Sequence, residues 1–176
     1  MNTHDEVGRV EAVDGLEAVF DHAAIAGPRL RDLLRIYRDL LGGTFLNGGD
    51  NPRVKYRALQ LAYPDGSKIE LMEPLAGSTF FDSFVAGSGW GLHHVTFKVG
   101  DIERAISVLE QRGFTPVGVF LEDDYWREAF LHPREAGGTL LQLAQPGAGY
   151  PPPIWDWSLE EVLEGRGEHG NGHPSP

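Results

Sequence analysis

The fold is indicated most clearly by two segments, FDHAAI at residues 20–25 and LHHVTF at residues 92–97. Each reads as a strand that begins a series of elements in the order strand, helix, strand, strand, strand. The two series also end on similar strands, KIELM at residues 68–72 and LLQLA at residues 140–144. A βαβββ order that occurs twice predicts an α+β domain made of two similar modules in tandem.

Four polar residues occupy equivalent positions in these strands. His22 and Glu70 are 48 positions apart, and His94 and Gln142 are also 48 positions apart. Their neighbours along each strand are apolar, and side chains alternate between the two faces of a strand. The alternation therefore predicts that all four side chains lie on the face of the sheet that the helices do not cover.

Polar groups on that face need partners, because a buried polar group without one is costly. His, Glu, His and Gln side chains suit one divalent ion of Ni, Co, Mn, Fe or Zn and leave two octahedral positions for substrate oxygens. The alternative is a hydrogen-bonded polar lining without a metal. For His93 the alternation predicts a different place, with Val95 and Phe97 on the helix-covered face, as a structural residue.

Composition divides the chain into an acidic arm predicted to be flexible (1–15), the two-module domain (16–146, with modules at 16–75 and 88–146) and a Pro- and Gly-rich tail (147–176). In the tail, Ser158 and Glu161 form a capping-box pattern that predicts a short helix over residues 158–163. In the first module, apolar spacing predicts a regular helix over residues 29–41.

The chain has 26 Asp and Glu against 15 Lys and Arg, and it has no Cys. An acidic chain repels phosphate backbones, so we expect no nucleic-acid partner. The lack of a long apolar run, of an apolar leader and of Cys favours a cytoplasmic protein that does not enter a membrane. More than half of the net charge of −11 lies in the arm and the tail. The domain can therefore still accept an anionic small molecule, for which the candidate cations are Arg53, Lys55, Arg57 and Lys98.

Three segments, FDHAAIA (20–26), GLHHVTFKVGDIERA (91–105) and FLHPREAGGTLLQLAQ (130–145), resemble the vicinal oxygen chelate superfamily. This superfamily includes glyoxalase I, methylmalonyl-CoA epimerase, bleomycin resistance proteins and extradiol dioxygenases. The resemblance covers about residues 18–146, and the last two segments are most similar to methylmalonyl-CoA epimerases. It implies that the two βαβββ modules form a curved mixed sheet, a cup around one metal site.

The same resemblance maps the metal ligands of the family onto His22, Glu70, His94 and Gln142. It implies a metal-dependent lyase or isomerase of the glyoxalase and epimerase group. In such an enzyme a small oxygenated substrate loses a proton through a metal-chelated enediolate.

Within that chemistry we predict roles for five residues that share the uncovered face or the strands beside it. Glu70 and Glu128 are the predicted catalytic residues, which transfer the proton. Lys98, Tyr56 and Trp126 are predicted to contact the substrate.

The chain departs from the epimerase pattern at two points. Epimerases usually have Gln as the second ligand and Glu as the fourth, whereas this chain has Glu70 and Gln142 in those places. An amide does not titrate, so Gln142 cannot serve as the base that the fourth-position Glu provides there. The strand VKYRALQLAYP (54–64) also lacks the further catalytic Glu of the epimerases.

Two other functions fit the same residues. His22, Glu70 and His94 alone form a two-His-one-carboxylate set, which suits Fe(II) and O₂ in a ring-cleaving or other dioxygenase. A non-catalytic binding protein of the bleomycin-resistance type would instead use aromatic residues such as Phe80 and Trp90 to hold a cationic ligand. The resemblance further implies a homodimer.

Overall fold

The structure is a computed structural model that describes residues 16–122, 125–147 and 157–166. The predicted arm, residues 1–15, lies outside the described residues, as does most of the tail. The first module comprises β1 (Val19–Ala26), α1 (Leu30–Leu34) with a π-helical continuation (Arg35–Leu40), β2 (Thr44–Asn51), β3 (Tyr56–Ala62) and β4 (Lys68–Pro74).

A connecting helix, α2 (Asp82–Ser88), leads into the second module. This module comprises β5 (Gly91–Lys98), α3 (Ile102–Gln111), β6 (Pro116–Phe120), β7 (Trp126–Leu131) and β8 (Leu140–Pro146), and α4 (Leu159–Leu163) follows in the tail. The predicted βαβββ repeat is confirmed. At α4, Ser158 and Glu161 form the predicted capping box, in which each side chain bonds to the backbone N–H of the other residue.

The eight strands of the described ranges form one mixed sheet in the order β2-β3-β4-β1-β5-β8-β7-β6. Within each module the first and last strands pair in parallel, β1 with β4 and β5 with β8. The two modules meet in the middle of the sheet, where β1 and β5 pair antiparallel. The sheet curls without closing, as the resemblance implied, and leaves β2 and β6 as its edges.

The helices of the two modules cover the outer face of this sheet. In the first module Leu30 and Leu34 of α1 are buried against β3 and β4, and Val162 of α4 belongs to the same core. In the second module Ile102 and Leu109 of α3 pack on β7 and β8. The outer face thus supplies most of the apolar burial that stabilises the domain, and the polar positions predicted from the sequence lie on the inner face beside a smaller apolar cluster. No helix in the described ranges is long and apolar enough to cross a membrane.

The first helix differs from the regular helix predicted for residues 29–41. From Arg35 onward its hydrogen bonds span five residues, as in the bond from the Leu41 N–H to the Ile36 carbonyl at 2.9 Å. A π-turn holds more residues than an α-turn, so the residues after it rotate away from the side of the helix that faces the core. Leu40 and Leu41, which the apolar spacing places on that side, are 76 % and 56 % exposed.

Candidate metal centre

Two β-bulges at equivalent positions of the modules shape the inner face of the sheet. The bulged residues are Asp21 in β1 and His93 in β5, and each directly precedes a predicted metal ligand. A bulge adds one residue to a strand and interrupts the alternation of its faces. Asp21 and His22 therefore both point into the cup, and so do His93 and His94.

The bulge overturns the prediction that His93 lies on the helix-covered face. His93 is buried inside the cup, where its ring centre lies 4.8 Å from that of Phe84 and 5.5 Å from that of Phe81. Phe81 itself packs on Ala24 and Met72 of the inner face. The prediction was wrong because it assumed an unbroken alternation through residue 93.

His22 is held by a carboxylate behind it. Its Nδ1 lies 2.8 Å from Asp21 Oδ2, and its Nε2 faces Glu70 Oε2 at 3.7 Å. Burial alone would raise the pKa of Asp21, but hydrogen bonds from His22, Lys68 and Lys98 hold that pKa well below its usual range. A charged Asp21 accepts a hydrogen bond from the Nδ1–H of His22, so Nε2 is the ring nitrogen directed to the centre of the cup.

His94 is held in a similar way by a second imidazole. Its Nδ1 lies 2.9 Å from His93 Nδ1, and its Nε2 lies 4.0 Å from Glu70 Oε1. Burial lowers the pKa of His93 to about 4 and lowers the pKa of His94 well below its usual value. Both rings are therefore uncharged at neutral pH, and a hydrogen bond between the two Nδ1 atoms requires that one of them carries a proton.

Glu70 stands between the two imidazoles and completes a compact group. One ligand atom from each of His22, Glu70 and His94 lies within 4.8 Å of the others, and all three residues are buried. The Gln60 Nε2 donates to Glu70 Oε2 at 3.4 Å. Two Nε2 atoms and a carboxylate oxygen are donors that first-row divalent ions favour, so this group could hold a metal ion.

Gln142 is connected to His22 through the hydroxyl of Thr96, a residue for which no role was predicted. Thr96 Oγ1 donates to Gln142 Oε1 at 2.5 Å and lies 3.1 Å from His22 Nε2. Thr96 shares the face of His94, and that alternation was the signal that could have identified it. Gln142 therefore has its carbonyl oxygen on the side of His22, beside the three-residue group.

Glu128 lies on the other side of the Gln142 amide. Gln142 Nε2 donates to Glu128 Oε2 at 2.7 Å, and Trp126 donates a second hydrogen bond to the same carboxyl group. Burial raises the pKa of Glu128, and the hydrogen bond from Gln142 and the charge of Arg53 oppose that rise. The structure thus brings Glu128 and Trp126 together beside Gln142.

Tyr56 lies on the first-module side of the cup. Its ring centre is 5.1 Å from that of Phe80, and its hydroxyl accepts a hydrogen bond from Asn51 Nδ2 at 3.4 Å. Burial raises the pKa of Tyr56, and the negative charges of Glu70 and Glu128 raise it further. The phenol consequently keeps its proton at neutral pH.

Lys98 points into the cup but is engaged by Asp21. Its Nζ lies 2.8 Å from Asp21 Oδ1, and Lys68 Nζ lies equally close to Asp21 Oδ2. The ion pair offsets the charge of Lys98, so this side chain has a partner before any substrate arrives. Asp21 is the residue that sequence reasoning missed here, although its place directly before His22 matches that of His93 before His94.

One known protein superfamily matches most of the two-module domain. Residues 21–130 match the sequence profile of the Glyoxalase/Bleomycin resistance protein/Dioxygenase superfamily, which is more than half of the chain. The chain belongs to this superfamily. The predicted resemblance to the vicinal oxygen chelate proteins is thereby confirmed.

Relatives within the superfamily include epimerases. The chain is 31 % identical over 130 residues to the ethylmalonyl-CoA/methylmalonyl-CoA epimerase of Cereibacter sphaeroides, covering 71 % of this chain and 96 % of that protein. It is 30 % identical over 135 residues to YqjC of Bacillus subtilis, covering 72 % of this chain and 91 % of that protein. Methylmalonyl-CoA epimerase from Mycobacterium tuberculosis has a similar structure, with a TM-score of 0.66 and 27 % identity over 79 % of this chain and 94 % of that one. The epimerases among these relatives support an isomerase type of function.

Proposed function

We propose that this protein is a divalent-metal-dependent isomerase or lyase that moves a proton at a carbon atom next to oxygen in a small substrate. The observation that carries the proposal is the buried group of His22, Glu70 and His94, with Gln142 and Glu128 adjoining it. The epimerases among the relatives support this class of reaction.

Four side chains would hold the metal ion: His22 and His94 through Nε2, Glu70 through a carboxylate oxygen and Gln142 through Oε1. A bound ion of Ni, Co, Mn, Fe or Zn would supply positive charge that stabilises negative charge on substrate oxygens as a proton is lost. Asp21 and His93 would keep the two imidazoles in the required tautomer and orientation.

Glu128 would take the proton from the substrate carbon and return it. Its carboxyl group is partly buried, and burial raises its pKa towards the range in which a carboxyl group both accepts and releases a proton. Gln142 and Trp126 fix it in place through hydrogen bonds. Glu70 is a second group that can accept a proton, and the protonated Tyr56 hydroxyl can donate a hydrogen bond to a substrate oxygen.

Glu128 would also compensate for the departure of this chain from the epimerase pattern at Gln142. Gln142 occupies the position where the epimerases usually have a basic Glu. Here a carboxylate from the neighbouring strand, Glu128, is hydrogen-bonded directly to that Gln142 amide. A titratable group is therefore retained at this side of the centre, although on another strand.

Exchange of substrate hydrogen for solvent deuterium tests the proposal. Metal-loaded protein would be incubated in deuterated buffer with a panel of 2-oxo, 2-hydroxy and acyl-CoA compounds, followed by mass spectrometry. We expect deuterium at the carbon next to oxygen in at least one compound, and none with protein that a chelator has stripped of metal. Loaded protein that binds compounds of the panel without exchange would favour a binding protein instead.

A dioxygenase remains the second candidate because the three-residue group by itself is a two-His-one-carboxylate set. Protein loaded anaerobically with Fe(II) would consume O₂ when given a catechol if this candidate is correct. Consumption of O₂ without hydrogen exchange would replace our proposal with this one.

Asp21→Asn is expected to weaken metal binding roughly 10–100-fold, because His22 loses the charged partner that fixes its tautomer. Isothermal titration with Zn²⁺ would measure the change. Asp50→Asn is the matched control, since Asp50 also forms an ion pair, with Arg57, but in the β2–β3 hairpin away from the centre. Equal affinities for the Asp21 variant and the unmodified protein would contradict a positioning role.

We also propose that the protein is a homodimer, and the outer face of the central strands supports this. Phe20 of β1 and Leu92 of β5 are apolar side chains on this face that are 50 % and 47 % exposed. Phe20→Ser is expected to shift the mass measured by light scattering from about twice the chain mass of 19.4 kDa to that mass. Leu46→Ser, at another exposed leucine, should leave the dimer intact. A monomeric unmodified protein would refute the dimer.

A further inference from the structure

The curl of the sheet brings two distant segments together at the mouth of the cup. The turn that joins β2 to β3 and the strand β6 lie towards opposite edges of the sheet. Nevertheless, the guanidinium carbon of Arg53 in that turn lies 4.0 Å from the centre of the Phe120 ring in β6. Arg53 therefore lies where the β2–β3 turn of the first module approaches strand β6 of the second module.

Unlike Lys68, Lys98 and Arg57, Arg53 has no carboxylate partner among the described residues. Lys68 and Lys98 are paired with Asp21, and Arg57 is paired with Asp50. Within the described ranges, Arg53 forms no ion pair, and its charge rests on the face of an aromatic ring. A guanidinium stacked in this way keeps the N–H donors along its edge available for a planar or tetrahedral oxyanion.

The charge of Arg53 also reaches the polar interior of the cup. It opposes the effect of burial on Glu128 and lowers the pKa of that carboxyl group, and it acts in the same direction on the Tyr56 hydroxyl. Phe120, on which Arg53 stacks, is the cross-strand partner of Glu128, and Asn51, which holds the Arg53 backbone, contacts Tyr56, so Arg53 lies beside residues of both modules. The guanidinium is therefore placed to meet the part of a substrate that extends away from the proposed metal centre.

The backbone at Arg53 is held in place by the same residue that contacts Tyr56. Asn51 Oδ1 accepts hydrogen bonds from the N–H groups of Arg53 and Val54, each at 3.2 Å. Asn51 Nδ2 donates to the Tyr56 hydroxyl. The position of Arg53 is thus tied to the wall of the cup, which limits the ordering needed when a ligand binds.

We propose that Arg53 binds an anionic group of the substrate at the mouth of the cup, so that the substrate is an oxyanion, a carboxylate or a phosphate, charged at the end remote from its reacting carbon. This inference rests on the proposed function, which places the reacting end at the metal centre. Substrate specificity would then depend on Arg53, which is neither a predicted metal ligand nor a predicted base.

Three hydroxamates that share the chelating end and differ in the rest of the molecule provide the test. Acetohydroxamate is uncharged there, succinic monohydroxamate carries a carboxylate, and phosphoglycolohydroxamate carries a phosphate. Their affinities for Zn²⁺-loaded protein would be measured by isothermal titration. We expect at least one charged probe to bind about tenfold or more tightly than acetohydroxamate, as a charge-assisted contact requires. The charged probe with the larger gain identifies the anionic group.

Two variants locate the effect. Arg53→Met is expected to remove the higher affinity for the charged probe and to leave the affinity for acetohydroxamate unchanged. Lys55→Met removes a charge from the same turn and should keep the higher affinity for the charged probe. The role of Arg53 is wrong if the unmodified protein binds acetohydroxamate and binds neither charged probe more tightly. It is also wrong if the Arg53 variant still binds a charged probe more tightly than acetohydroxamate. In both cases the metal centre stands. If loaded protein binds none of the three probes, the metal centre is wrong and this inference falls with it.

Discussion

His94→Ala is expected to abolish retention of a divalent ion by the purified protein. The residue would supply one of the two imidazole ligands, and its Nε2 faces Glu70 across 4.0 Å in a buried site. Loss of a residue that only supports a ligand typically weakens metal binding roughly 10–100-fold, so loss of a ligand should exceed about 100-fold. Elemental analysis after purification without chelators would measure the metal content of both proteins.

His132→Ala is the matched control for this experiment. His132 is also a histidine next to a strand end, but it is exposed, and its Nδ1 accepts a hydrogen bond from the Arg134 N–H. We expect this variant to retain one ion per chain. An unmodified protein without stoichiometric metal would overturn the metal centre, and a His94 variant with full metal content would remove His94 from the ligand set.

Glu128→Gln is expected to slow hydrogen exchange into the substrate by about 10²–10⁴-fold, the usual contribution of a positioned acid or base. The substitution preserves the shape of the side chain and its ability to accept a hydrogen bond from Gln142. It removes only the group that can gain and lose a proton. The metal content should therefore stay unchanged while exchange, followed by mass spectrometry, falls.

Glu103→Gln provides the control for Glu128. Glu103 is an exposed carboxylate on α3 of the same module, and its partner Arg127 is also on the surface. Its substitution should leave both exchange and metal content unchanged. If Glu128→Gln exchanges at the rate of the unmodified protein, Glu70 or another group must transfer the proton.

Much of the fold follows from local patterns in the sequence. Apolar alternation located β1, β4, β5 and β8, and the capping-box residues located α4. The matched spacing also placed His22, Glu70 and His94 on one face, and these three residues do lie together in the structure. These predictions succeeded because each depends on the period of a single element and not on its neighbours.

The errors have a common physical origin in bulges and turns that local periodicity does not contain. His93 was assigned to the outer face, and the end of the first helix was assigned to the side that faces the core. A bulge in β5 and a π-turn after α1 each add one residue to a regular element, which reverses or rotates everything that depends on its period.

The remaining features depend on contacts between distant segments. Asp21 binds lysines from two other strands, Glu128 meets Gln142 across a strand pair, and Arg53 meets Phe120 only because the sheet curls. The two-module fold and the face on which the polar residues lie can be predicted from local patterns, since both follow from the period of each strand. Which of these residues pair cannot be predicted in this way, because register and curvature, which no single strand encodes, bring their side chains within reach of one another.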